Sequence, residues 1–105
     1  MSKSRTTTDE PLALPAVHPG ALLRELYLEP LELSAGALAK RLMVPRTRIE
    51  RLVNGQTGLS SDTAMRLARF FNTTPNYWLN LQQRYDLALA ANASDYDKIE
   101  PLSAA

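Results

Sequence analysis

Arg46, Thr47, Arg48, Glu50, Arg51 and Asn54 carry the side chains of this sequence best suited to reading a nucleic acid. On a helix, Thr47, Glu50, Arg51 and Asn54 fall at i, i+3, i+4 and i+7, and Arg46 and Arg48 flank that face at its N-terminal end. Arginine forks bond guanine O6 and N7 or clamp phosphate; threonine offers a hydroxyl or a methyl, and glutamate accepts from cytosine N4. The spacing therefore assigns Arg46, Thr47, Glu50 and Arg51 to base edges in the major groove of double-stranded DNA. Arg48 and Asn54 are assigned to the backbone, and Gln56 and Thr57, in the loop that follows, to phosphate. An ordinary solvated helix face is the plainer alternative, and the elements around the run weigh against it.

Those elements are two short helices joined by a tight turn. Leu38, Ala39 and Leu42 form one apolar stripe, and Ile49, Leu52 and Val53 repeat it after the break Met43-Val44-Pro45. Pro45 lacks a donor and disfavours helical backbone at Val44, yet its φ suits the start of a new helix. Small Ala39 lies where a second helix crosses closely, and Asn54-Gly55 is a stop signal. The pattern is helix-turn-helix.

Charge is segregated along the chain. The 105 residues hold 12 basic and 11 acidic side chains, a balance that hides a basic middle. Residues 34–69 carry seven cations against two anions, net +5, and the remainder nets −4. One surface thus suits phosphates and another repels them or attracts a basic partner. The length allows one small helical domain with marginal burial, so dimerisation is an expected source of stability. With no cysteine, disulfides and thiolate metal sites are excluded. No apolar run approaches the roughly 18 residues of a membrane span and no signal-peptide core is present, so a cytoplasmic location is expected.

The expected architecture is all-α, with five helices. Residues 1–17, rich in Ser, Thr and Pro, form a flexible N-terminal arm, 18–93 the DNA-binding and dimerisation domain, and 94–105 a tail. Pro19 starts helix 1, whose stripe is Leu22, Leu23 and Leu26 and which Pro30 ends. Ser34 caps helix 2, and Ser60 caps helix 4, with Ala64, Leu67, Ala68 and Phe71 inward and Asn72 as its stop. Thr74-Pro75 starts helix 5, where Trp78, Leu81, Tyr85 and Leu89 share a stripe through about Asn92. These four offer more apolar surface than one small core buries, so they are the expected homodimer contacts. Only a weak strand pattern remains, near Lys98-Ile99.

In combination, the run from His18 to Glu25 (HPGALLRE), the helix-turn-helix, Asn54-Gly55, Ala64 to Ala68 (AMRLA) and Pro75 to Gln82 (PNYWLNLQ) resembles the HigA antitoxins. The resemblance spans residues 17–89. It implies a λ-repressor-like fold, a homodimer on a palindromic promoter, and neutralisation of a HigB-type, ribosome-dependent mRNA endonuclease. On that reading the acidic flanks, Asp9, Glu10, Glu25, Glu29 and Glu32, capture the basic toxin. Two positions depart from the family pattern: Met43 stands where Gly is common in the turn, and Pro45 where a hydroxyl cap is usual.

Other constellations carry less. His18, the only histidine, has no second ligand or nucleophile near it and reads as a helix-start residue. Tyr77, Trp78 and Tyr85 suit either a base-stacking platform or the core and dimer contacts, and their helical spacing favours the latter. Asp95, Asp97 and Glu100 lack the regular loop of a cation site, so no metal or cofactor is expected. The absence of clustered catalytic groups argues against an enzyme, such as a small nuclease. A stand-alone transcriptional regulator without a toxin partner remains the alternative.

Overall fold

The computed structural model describes residues 16–103, all helix and connecting turns. Helix α1 comprises Pro19–Leu23, a π-helical turn Arg24–Leu28 and a closing turn Glu29–Leu31; then follow α2 (Ala35–Leu42), α3 (Arg46–Val53), α4 (Ser61–Phe71) and α5 (Pro75–Ala93). Most of the N-terminal arm, Asp9 and Glu10 included, lies outside the described residues.

Each helix begins where its cap requires. His18 Nδ1 accepts from the Gly20 amide at 2.9 Å, Ser34 Oγ from Ala37 at 3.0 Å, Ser60 Oγ from Thr63 at 3.2 Å and Thr74 Oγ1 from Tyr77 at 3.2 Å. Helix α3 is the exception: Pro45 occupies its N-cap at φ −62° and ψ 145° with no side-chain cap bond. The preset φ substitutes for the missing hydroxyl.

Pro30 does not end α1, contrary to expectation. It has no N–H to give Leu26, and in a regular helix its ring would press on that carbonyl. The Glu29 amide instead pairs back five residues, to the Arg24 carbonyl, which widens the helix just before the proline. The same turn shifts the buried face. Leu23 and Leu28, five apart, are both in the core, whereas Leu26 is 59% exposed and drops out of the expected stripe. Tyr96–Lys98 forms a 3₁₀ turn where a weak strand was expected.

The core is built from Leu23 and Leu28 of α1, Leu38 and Leu42 of α2, Ile49 and Leu52 of α3, Leu59, Leu67 of α4 and Trp78 of α5. Trp78 is fully buried, with its Nε1–H donating to Thr73 Oγ1 at 2.8 Å and its ring beside Tyr27 and Phe71. Ala39, 1% exposed, lets α2 and α3 approach. Gly20 does the same for α1 and α3.

The turn between α2 and α3 closes with paired bonds from Met43 N–H to the Lys40 carbonyl and from Val44 N–H to the Ala39 carbonyl. That closure holds Met43 left-handed, at φ 63°, with its side chain 84% exposed. A methionine there strains the backbone and contributes little packing. Met43→Gly is therefore expected to stabilise the fold by about 0.5–1 kcal/mol, read as a raised thermal midpoint. An equal or lower midpoint would show that the side chain contributes something its exposure does not suggest.

Candidate nucleic-acid interface

Helix α3 turns Ile49, Leu52 and Val53 into the core, which leaves Arg46, Thr47, Arg51 and Asn54 exposed and Glu50 half-buried. Arg46 Nε lies 3.2 Å from Glu50 Oε2, an i,i+4 pair that ties up both side chains. Among the described residues, the Arg51 guanidinium has no partner. Thr47, Arg48 and Arg51 line an open groove whose other wall is Thr57, Gly58 and Ser60. Of the eight residues assigned to DNA from sequence, four thus share one concavity. Arg46, Glu50, Asn54 and Gln56 stand outside it.

The loop forming that second wall is held at both ends. Gly55 adopts φ 74°, which lets Gln56 N–H reach the Arg51 carbonyl at 2.8 Å and closes α3. At the far end Leu59 N–H donates to Gln82 Oε1 of α5 at 2.7 Å. Gln82 was not singled out from sequence, because nothing local marks a residue that serves a loop 23 positions away.

A second group escaped sequence reasoning. Asp62, in the first turn of α4, accepts from Arg48 of α3 and, at 2.9 Å, from Arg66 Nε of its own helix. Arg66 Nη1 also donates to the Leu42 carbonyl in the last turn of α2, at 2.9 Å. Only the i,i+4 spacing of Asp62 and Arg66 was legible in advance. The hydrogen bond from Arg48, then that from Arg66, holds the Asp62 carboxyl below its usual range. The folded pKa being the lower one, the contribution of this group stands above the ordinary carboxylate range and is lost as pH falls through the lowered value.

The remaining assignments are scattered. Trp78 leaves the dimer set, since its full burial within the chain gives a partner nothing to touch. Leu81 and Tyr85 are half-buried, Tyr85 lying edge-on to His18 at 4.9 Å, and Leu89 is 47% exposed beside Leu87 at 55%. Tyr77, Trp78 and Tyr85 do not form one stacking platform: Tyr77 accepts a hydrogen bond from the Tyr27 hydroxyl at 3.1 Å, which helps push the Tyr27 phenol up to about 12. On α1, Glu25 and Glu29 both approach Arg24, at 3.5 and 3.8 Å, so part of that acidic edge is neutralised within the helix. Glu32 sits at the left-handed end of α1, at φ 53°. Among the described residues no group of three or more metal-ligating side chains converges, and no helix is long and apolar enough to cross a membrane.

A helix-turn-helix family model matches residues 23–78. Virulence-associated protein I of Dichelobacter nodosus is 52% identical over 77 residues, which cover 73% of this chain and 71% of that protein. The uncharacterised HTH-type transcriptional regulator YbaQ of Escherichia coli K12 is 45% identical over 69 residues, covering 66% of this chain and 61% of YbaQ. The Pseudomonas aeruginosa antitoxin HigA, solved with the higBA promoter, superposes with a TM-score of 0.80 at 39% identity, covering 85% of this chain and all of that one.

Proposed function

Because the chain belongs to the λ-repressor-like (Xre) helix-turn-helix family, with HigA antitoxins as its structural neighbours, we propose that it is the antitoxin of a type II toxin–antitoxin module. It binds its own operator as a repressor and neutralises a HigB-type mRNA endonuclease. The observation carrying the DNA half is the unpaired, exposed Arg51 beside Thr47, Arg48 and Thr57 on the open face of α3. A free guanidinium in the last turn of a recognition helix, on its exposed face, suits a guanine edge or a phosphate. Arg46, Thr47, Glu50 and Arg51 face the major groove, while Arg48, Asn54, Gln56 and Thr57 meet the backbone.

For the toxin half, Glu25, Glu29 and Glu32 present an exposed acidic edge on α1. Opposite charge of this kind speeds encounter more than it slows release. Co-expression with a HigB-type endonuclease tests the assignment: the pair should co-purify and the growth arrest caused by the endonuclease alone should be relieved. The second reading, a regulator without a toxin, is favoured by the 45% identity to YbaQ. Operator binding with no co-purifying partner and no rescue would select it.

A two-fold operator calls for a homodimer. The distal end of α5 is the proposed contact, with Leu89 at its centre and Leu81 and Tyr85 behind it. Leu89→Asp should yield a folded monomer with weak operator binding. Sedimentation at micromolar concentration checks this, and a mutant that stays dimeric excludes the distal end of α5.

A further inference from the structure

The strongest feature that the proposed function leaves unused is the carboxylate of Asp62 beside the α3 groove. An anion bordering a phosphate-binding face lowers affinity for any duplex, so its presence there calls for a compensating role. The geometry supplies one. Asp62 accepts from Arg48, which with Thr47 and Arg51 lines the groove, and it is braced by Arg66, itself bonded to the Leu42 carbonyl of α2. The chain Leu42–Arg66–Asp62–Arg48 therefore ties the last turn of α2 and the first turn of α3 to α4. Arg48 and Asp62 both remain open to solvent, with side chains 41% and 54% exposed. Arg48 is thus accessible to a phosphate but not free to swing toward one.

We propose that Asp62 is a specificity-determining positioning residue that holds Arg48 in a single pose, withholding its charge from non-operator phosphates. The inference rests on the DNA-binding reading above. A duplex docked in register by base contacts brings a phosphate to that pose. A duplex bound only through its backbone, in many registers, does not. Phosphate contacts set affinity and its salt dependence without carrying sequence information, so restraining one of them costs non-specific binding more than specific binding.

The test compares two probes: a duplex selected by the wild-type protein from a random-sequence pool, and a mixed-sequence duplex of equal length. In Asp62→Asn, the slope of log K against log salt on the mixed-sequence duplex should steepen by about 0.9, the signature of one added phosphate contact. The ratio of selected to mixed-sequence affinity should fall. Asp62→Glu, which keeps the charge, should restore both. Arg48→Gln should leave the mixed-sequence slope at its wild-type value, flatten the slope on the selected duplex by about 0.9, and abolish the effect of Asp62→Asn. The Arg48→Gln arm stands even if Asp62→Asn folds poorly. Unchanged slopes in Asp62→Asn, a parallel loss of affinity for both duplexes, or steepening that persists without Arg48 would each overturn the proposal. A wild-type protein that selects no sequence overturns the DNA-binding reading itself, and the proposal with it.

Discussion

Gly20→Ala is expected to destabilise the protein by about 3 kcal/mol or more, a large share of the total stability of a small domain. A methyl group on Gly20 would stand 1.8 Å from the Leu52 carbonyl oxygen and 2.6 Å from the carbonyl carbon. Both are backbone atoms in the last turn of α3, so neither can yield as the tip of a long side chain would. The first turn of α1 would have to lift away, weakening the bond from Arg24 Nη1 to the Val53 carbonyl, 3.3 Å long. It would also open the core around Leu23 and Leu52. Gly36→Ala is the control. Its new methyl would meet only the flexible Arg46 side chain, at 3.0 Å, and gains the helix propensity of alanine, so its stability should stay within about 1 kcal/mol of wild type. Urea titration of the three proteins measures the difference. A Gly20→Ala midpoint equal to wild type would contradict so close a packing of α1 on α3.

Removing Arg51 should produce the largest loss of operator binding from a single surface change. A bidentate arginine–guanine contact carries about 1–3 kcal/mol of discrimination, so Arg51→Ala should weaken binding to the selected sequence by about 5- to 150-fold. Arg46→Ala should cost less. Arg46 already spends its guanidinium on Glu50 at 3.2 Å, and that exposed pair, worth at most about 1 kcal/mol, must open before Arg46 reaches a base. Neither substitution touches the core, so thermal midpoints should be preserved. Mobility-shift titrations at fixed salt give the affinities. Undiminished affinity in both variants would remove Arg46 and Arg51 from the reading surface.

The sequence by itself determined the helices and the turn that joins the central pair, because these rest on local rules. Ser34, Ser60 and Thr74 cap where short polar side chains precede apolar periodicity, and Pro45 and Gly55 bound α3 through their own backbone preferences. The exposed face of α3 followed from the same 3.6-residue period that buries Ile49 and Leu52. Tertiary structure alone decided which polar groups meet. Arg48 finds Asp62 fourteen residues on, and Leu59 finds Gln82 twenty-three residues on, pairings that depend on how helices cross. It also decided the face of α1, where one π turn replaced Leu26 by Leu28 in the core, and the fate of Trp78. Periodicity marks a side chain as apolar and inward, but whether its neighbour is the same chain or a second copy depends on the volume that folding leaves to fill. Here Tyr27 and Phe71 enclose Trp78 within its own chain, and Leu89, nearer the end of α5, is left facing solvent.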